Sequence, residues 1–446
     1  MSTTYDYLLD EIMTLKAFDA HTHLDASHLS ARGLHDVLLY HMVVSDLYSA
    51  GCPDGDRLSE EPTEDEAAMR LERAIPYIPR ICNTSGFWMT EMILRDLYDW
   101  DEPITLQNWQ HLHETIRKRG NSRQFGRSVM ERANIAKSNT EFWRGRDGSC
   151  DDIFTYSLEW SFFTRSQWGI YDTALIELEH AWNHEEPCPP LPVSANRDEL
   201  RFEKKIETIG HAEQAMDHYF SRIPFDRVMT IASHLSTHIH YRKTTREEMV
   251  KALSNRENAG DWERDVYANY LLEEFLMRFE AVHPEKVLQF SMAAEPLPYE
   301  TISMMHSGTP LEIAQIIAAH PKIRFSFQIA NMAVNQSFCT MARELPNLSL
   351  NGYWWQNFFP SYIERVLSER LDMVAINKII GFFTDAYTME WSYAKSKLIR
   401  RITAKVLAER VDQGRYRRED ALSMASKLLA GTAQQIFGVE AHEGYR

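Results

Sequence analysis

The sequence predicts an α/β protein: a (β/α)8 TIM barrel with a helical insertion after the first strand. Short β-branched or aromatic runs alternate with long amphipathic patterns, which is typical of βαβ units and a parallel sheet. No glycine-rich phosphate-binding fingerprint follows the first predicted strand. A closed barrel is therefore favoured over an open, doubly wound sheet.

Seven runs along the chain have the length and composition of barrel strands. They are residues 18–20, 153–157, 227–232, 287–292, 323–329, 348–352 and 379–383. We expect the eighth strand between Trp160 and Leu178, where the pattern is weak. Long helical patterns predict outer helices over residues 196–219, 259–282 and 391–409.

These patterns divide the chain into three regions. Residues 1–60 hold the first strand and helix of the barrel, residues 61–150 form a helical insertion, and residues 151–446 supply the remainder of the barrel. Amphipathic stretches with few strand patterns between them indicate the insertion, at residues 64–75, 89–98, 106–118 and 127–136. A chain of 446 residues is also longer than a single core usually supports, which agrees with an inserted region.

Composition limits the classes of function. Hydrophobic residues make up 44% of the chain and charged residues 25%, as in ordinary globular proteins. The formal charge of −16 opposes general binding to nucleic acid or anionic membranes, so we expect a small-molecule substrate. No run reaches the roughly 20 apolar residues of a membrane span, and no basic signal-peptide start is present. We expect a cytoplasmic protein with reduced cysteines that forms a homo-oligomer.

The ends of the first and last predicted strands indicate a metal site. Alternate side chains of a strand share a face, so His21 and His23 point the same way. Asp385 ends the last strand, which neighbours the first in a closed barrel. Taken separately, the histidines could lie on the surface and Asp385 could cap a helix starting near Tyr387. Taken together, they predict one divalent metal, zinc foremost, with manganese, iron, nickel or cobalt as alternatives.

We call His21, His23 and Asp385 the metal set. In this set and in further motifs, the chain resembles the uronate (glucuronate) isomerase family of the amidohydrolase superfamily, as a divergent member. The resemblance covers most of the barrel. It is carried by His21-Thr22-His23-Leu24, Leu38-Leu39-Tyr40-His41, Trp354-Trp355, Thr384-Asp385 and the basic stretch 395–401. It implies an aldose–ketose isomerase that acts on a sugar acid, of the glucuronate to fructuronate type.

The resemblance implies catalytic roles for Asp385 and His41, and it also reveals departures. Many members have an arginine two residues after the strand-eight aspartate, where this chain has Tyr387. Some have a tyrosine directly after the position of His41, where this chain has Met42, and a middle-strand histidine is replaced near Ser291. We therefore expect a rebuilt substrate shell in which Tyr387 is catalytic.

Five residues are candidates for binding the substrate. His234 ends a predicted strand, which is where barrel enzymes recruit site residues. Arg32 and Arg242 can each hold a carboxylate through paired hydrogen bonds, although most arginines are simply exposed. Trp354 and Trp355 can wall the pocket, although packing is the commoner use of tryptophan.

Three functions remain open on the sequence alone. The first is the metal-dependent sugar-acid isomerase, because isomerisation needs a base, an acid and a stabiliser of enediolate charge. The second is a hydrolase of the same superfamily, in which Asp385 accepts the proton of a metal-activated water. The third is a barrel that has kept its fold and lost catalysis.

Overall fold

A computed structural model describes residues 3–439 except 56–61, 121, 161–165, 168–169, 172, 188–190, 192–199, 238 and 297–300. Eight parallel strands form one curled sheet in which each strand neighbours the next in sequence. The strands are β1 (Ala17–Asp19), β2 (Ile135–Glu141), β3 (Phe154–Trp160), β4 (Val228–Leu235), β5 (Val287–Met292), β6 (Arg324–Ile329), β7 (Leu348–Asn351) and β8 (Ile379–Ile380). The predicted α/β barrel is confirmed.

Helices connect the strands and cover the outside of the sheet. They are α1 (Thr4–Thr14), α2 (Leu34–Leu38), α3 (His41–Ser49), α4 (Glu64–Ala74), α5 (Ser85–Tyr98), α6 (Trp109–Gly120), α7 (Arg123–Arg132), α8 (Thr173–Trp182), α9 (Ile209–Arg222), α10 (Arg246–Ser254), α11 (Asp261–Val282), α12 (Thr309–Ala319), α13 (Asn335–Glu344), α14 (Pro360–Met373), α15 (Met389–Asp412), α16 (Arg418–Ser426) and α17 (Thr432–Phe437). Helices α2 to α7 all lie between β1 and β2, as expected for an insertion after the first strand. The exact division into three regions stays a prediction.

The position predicted for the eighth strand is wrong. The strand that completes the barrel is β2, within the stretch assigned to helices. Trp160 ends β3, and the described residues of 161–178 belong to α8 and to a hairpin of Ser166–Gln167 with Ile170–Tyr171. The pattern failed because β2 carries polar side chains into the barrel. Asn139 Nδ2 donates to Thr230 Oγ1 over 3.1 Å, and Thr155 Oγ1 donates to Asn139 Oδ1 over 3.1 Å.

One outer helix is shorter than predicted. The pattern over residues 196–219 corresponds to α9, which begins at Ile209 because the Thr208 side chain accepts a hydrogen bond from the His211 N–H and caps the helix. Residues 200–208 precede that cap, and residues 196–199 lie outside the described part of the chain. No described helix is long and apolar enough to cross a membrane.

The barrel closes between β1 and β8 at a junction that we call the seam. Among the described residues no strand ladder joins these two strands. Instead, the Thr384 N–H donates to Asp19 Oδ1 over 2.8 Å, and the Asp385 N–H donates to the His21 carbonyl over 2.9 Å. Nearer the amino ends, a π-helical turn, Lys427–Gly431, packs against both strands. The seam therefore places the ends of β1 and β8 side by side.

Candidate metal centre

Backbone hydrogen bonds fix the segment that carries the two histidines. Beyond β1, the Thr22 N–H donates to the Asn139 carbonyl on β2, and the His23 N–H donates to the Ala386 carbonyl after β8, each over 2.9 Å. The segment thus bonds alternately to its two neighbours, as an extended strand does. His21 and His23 consequently share one face, as the sequence predicted.

Three potential ligand atoms converge at the carboxyl-end mouth of the barrel. Asp385 Oδ1 lies 3.2 Å from His21 Nε2 and 3.3 Å from His23 Nε2. Ligands bound tetrahedrally at about 2.0–2.1 Å from a zinc ion stand roughly 3.3 Å apart, so these separations fit a small divalent cation. The three side chains are also largely buried, which lowers the competition from water.

The charge state of Asp385 suits a metal ligand. Burial alone would raise its pKa, but hydrogen bonds and charge interactions with His21 and His23 outweigh burial and hold the pKa of this carboxyl well below its usual value. Asp385 is therefore an ionised carboxylate. It is not a helix cap: α15 begins at Met389, and the capping position is Thr388. That alternative for Asp385 is wrong.

A pair of buried carboxyls lies on the other side of His23. Glu141 Oε1 is 3.4 Å from His23 Nδ1, and Glu159 completes a second group of potential ligands with these two residues. Burial and a hydrogen bond to Glu141 raise the pKa of Glu159 well above its ordinary value. Burial acts in the same direction on Glu141, but the adjacent Arg144 guanidinium outweighs it and holds that pKa low. Glu159 therefore carries the proton of the pair.

Of the two groups, the set of His21, His23 and Asp385 fits a metal better. In the second group, Arg144 Nε already donates to Glu141 Oε2 and neutralises its charge. Glu141 instead faces the nitrogen of His23 that points away from Asp385, which is the usual arrangement for a carboxylate that orients a metal-binding histidine. Glu141, Glu159 and Arg144 were not predicted from the sequence. Of the three, only Glu159 lies where a barrel enzyme is expected to carry a site residue, two residues past a predicted strand.

Aromatic rings wall the mouth beside the metal set. Tyr387 stacks on His23 with ring centroids 4.7 Å apart, and His41 lies 5.0 Å from Tyr387 and 5.7 Å from Trp355. The Arg144 guanidinium also lies over the Tyr387 ring, 5.3 Å from its centroid. The structure thus brings together His41, Tyr387 and Trp355, all three predicted from the sequence.

Trp354, whose ring lies 6.0 Å from that of Trp355, and His234 continue this wall. Their rings are 4.6 Å apart, and the charges of His21 and Asp385 are close enough to affect the imidazole of His234. Burial lowers the pKa of His234 to about 4, so the ring is neutral near physiological pH. Ser291, where the resemblance indicated a lost histidine, pairs in register with His234 on the neighbouring strand.

The two predicted arginines are engaged in their own loops. Arg32 donates to both carboxylate oxygens of Asp36, four residues away, over 2.9 and 3.0 Å. Arg242 pairs with Glu248 at 3.0 Å near the start of α10, and its side chain is 39% exposed. Their roles in substrate binding stay predictions.

Solved structures share this fold over nearly the whole chain. A glucuronate isomerase from Caulobacter crescentus is 12% identical, with a TM-score of 0.78 over 99% of this chain and 95% of that one. A uronate isomerase from Thermotoga maritima is 12% identical, with a TM-score of 0.75 over 97% of both chains. A proposed metal-dependent hydrolase from Lactobacillus casei is 11% identical, with a TM-score of 0.61 over 97% of this chain and 98% of that one.

Neither a protein-family model nor a curated protein sequence matches the chain. The structural similarity establishes that this chain has the fold of the uronate isomerases, which the sequence resemblance implied. At these identities it establishes the fold alone.

Proposed function

We propose that the protein is a divalent-metal-dependent isomerase that interconverts an aldehyde sugar acid of the uronate type and its keto isomer. The proposal depends chiefly on one observation, the convergence of His21 Nε2, His23 Nε2 and Asp385 Oδ1 at the mouth of the barrel. The fold shared with uronate isomerases supports the choice of reaction. In this proposal the chain is a divergent member of that family within the amidohydrolase superfamily.

His21, His23 and Asp385 would hold the metal. Two imidazoles and one carboxylate suit zinc best, and manganese, iron, nickel or cobalt are also compatible. A bound divalent ion supplies a Lewis acid that draws negative charge from the oxygens of a substrate. Because the pKa of Asp385 is low, this carboxylate is already deprotonated near neutral pH and available to bind the metal.

Two residues of the aromatic wall are proposed to move the proton between adjacent substrate carbons. An imidazole is the side chain best matched to proton transfer near neutral pH, so His41 would act as the base. Tyr387, whose ring contacts those of His23 and His41, would donate its phenolic proton to the carbonyl oxygen and recover a proton from the neighbouring hydroxyl, while His41 returns the carbon-bound proton to the adjacent carbon. Asp385 would assist at the sugar hydroxyl during ring opening.

The remaining wall is proposed to bind and shield the substrate. A neutral His234 can donate one hydrogen bond and accept another, which suits sugar hydroxyls. Trp354 and Trp355 are 5% and 7% exposed, so they would exclude water more than they would offer a stacking face. A cytoplasmic location and a homo-oligomeric state stay predictions from the sequence.

Elemental analysis of the purified protein, coupled to a keto-sugar assay, tests this proposal. We expect near-stoichiometric metal, and turnover of glucuronate or galacturonate after loading with zinc or manganese. The double variant His21→Ala/His23→Ala should lose both while it retains its helix content. The matched control His111→Ala/His240→Ala removes two exposed imidazoles and should retain both. Tight metal retention in the first double variant would show that the metal set is misassigned.

A metal-dependent hydrolase is the second candidate. It is favoured by the structural similarity to the Lactobacillus casei protein and by His234, a third imidazole close to the metal set. The two candidates separate in one comparison on the metal-loaded protein. Hydrolysis of ester or lactone substrates without formation of a keto sugar would favour the hydrolase over the isomerase.

A further inference from the structure

The backbone carbonyl of Asp385 contacts two buried side chains. The Tyr40 hydroxyl donates to this oxygen over 2.9 Å. Lys395 Nζ lies 3.4 Å from the same oxygen and 3.5 Å from the Tyr40 hydroxyl. Lys395 is fully buried and Tyr40 is 6% exposed. Two donors from α15 and from the residue before α3 therefore converge on one carbonyl.

A lysine at this position is costly. Removing an ammonium group from water is costly unless other interactions replace its hydration. The hydrogen bonds of Lys395 are to neutral oxygens, its Nζ lies over the Phe358 ring at 4.1 Å from the centroid, and the carboxylates of Asp385 and Asp19 interact with its charge. An apolar side chain of similar length would fill this space without that cost. Packing alone therefore does not account for the lysine.

Asp385 is a residue that needs external support. Its φ of +54° lies in the left-handed region, which is unfavourable for a residue with a Cβ atom. In this conformation its N–H donates to the His21 carbonyl while Oδ1 faces both histidines. Such conformations persist where the surroundings hold them in place, and they cluster at functional sites.

We infer that Tyr40 and Lys395 are positioning residues, which hold the Asp385 peptide in its left-handed conformation and thereby aim its carboxylate at the metal set. The inference rests on the metal centre of the proposed function. A clamp behind a ligand reduces the rearrangement needed when the metal binds. Loss of comparable outer contacts typically weakens metal binding by about 10-fold to 100-fold.

The test compares Lys395→Met and Tyr40→Phe with Lys378→Met as a matched control. Lys378 Nζ also donates to two backbone carbonyls, of Ala342 and Leu345, but at the opposite end of β8. Zinc dissociation constants are measured by competition with a chelator. Hydrogen exchange of the Asp385 and His23 amides is measured on the metal-free protein, because both amides donate across the seam.

We expect Lys395→Met and Tyr40→Phe, the two clamp variants, to bind zinc about 10-fold to 100-fold more weakly and to exchange these two amides faster. Lys378→Met should change neither the zinc affinity nor the exchange rates. The metal-free Lys395→Met protein should unfold at no lower urea concentration than Lys378→Met. If Lys395→Met does not fold, Tyr40→Phe, which removes one hydroxyl, decides the matter.

The outcomes separate this inference from the proposed function. Wild-type protein that binds zinc, together with clamp variants that match it in affinity and exchange, overturns the positioning role and leaves the metal centre standing. Wild-type protein that binds no zinc overturns the metal centre. In that case, faster exchange of only these two amides in the clamp variants would still support the role of Tyr40 and Lys395 in holding the Asp385 peptide.

Discussion

Replacing Thr384 with valine removes a single hydroxyl from the seam. Thr384 and Asp19 are both fully buried. Thr384 Oγ1 donates to Asp19 Oδ2 over 2.5 Å, while the Thr384 N–H donates to Asp19 Oδ1. Burial raises the pKa of Asp19 to about 7, so above that pH the carboxylate is charged and depends on these donors.

The expected loss follows from the charge of the acceptor. A hydrogen bond to a charged group contributes roughly 1.5–3 kcal/mol, against about 0.5–1.5 kcal/mol between neutral groups. Valine keeps the shape of threonine but leaves Asp19 Oδ2 without this donor, and Ser392 Oγ, 3.2 Å from Thr384 Oγ1, loses a contact as well. We expect Thr384→Val to lower the free energy of unfolding by about 2–3 kcal/mol.

Thr140→Val is the control for this prediction. Thr140 Oγ1 donates over 2.7 Å to the carbonyl of Leu24, and both residues are buried, so the same substitution removes a bond to a neutral acceptor. We expect a loss of about 1 kcal/mol. Both variants are unfolded in urea with a chelator present, at a pH above the pKa of Asp19, and followed by tryptophan fluorescence. A loss for Thr384→Val equal to or smaller than that for Thr140→Val would refute the reasoning.

Two further predictions concern other parts of the fold. Gly352 has a φ of +50°, and a Cβ there would lie 1.8 Å from an aromatic ring of the segment after β8, so Gly352→Ala should cost at least about 2 kcal/mol in thermal unfolding. Gly414→Ala, at φ +71° with nothing within 4 Å, should cost only about 1 kcal/mol, and equal losses would contradict the steric argument. Burial opposes protonation of His320, but Glu273 and Glu280, at 3.4 and 3.2 Å, outweigh burial and raise the pKa of this histidine above its ordinary value of 6.5. The stabilisation by protonated His320 is therefore complete below pH 6.5 and is lost as the pH rises through the folded-state pKa. His320→Gln should consequently destabilise the protein more at mildly acidic than at alkaline pH. A loss of stability that does not depend on pH would count against the ion pairs.

Much of the fold could be predicted because most of the barrel strands are apolar. Runs such as residues 287–292 and 323–329 agree with β5 and β6 to within a residue. β2 could not be found in the same way, because Asn139 on this strand is buried by hydrogen bonds to side chains of β3 and β4 rather than by apolar contact. The polar side chains that β2 places inside the barrel are therefore the reason why its sequence does not resemble that of the other strands.

The convergence of His21, His23 and Asp385 could be predicted because these residues follow the first and last strands, which a closed barrel makes neighbours. Glu141 and Glu159 escaped prediction because their pairing requires β2 and β3 to be recognised as adjacent. The convergence of Tyr40 and Lys395 on Asp385 depends on one left-handed peptide, which no periodicity in the sequence reveals. Contacts between residues that are far apart in the sequence are therefore the part of the site that could not be predicted.

The seam also sets an order of events during synthesis. Asp19 and Thr384 are 365 residues apart, so at about 5–20 residues per second the first strand waits tens of seconds for its last neighbour. During that interval a long free strand edge would invite association between nascent chains. β1 has only three residues, so the edge that it leaves free during this interval is short. His21 and His23 emerge early, but Asp385 arrives only after β8, which makes the convergence of these three side chains a late step in the maturation of the chain.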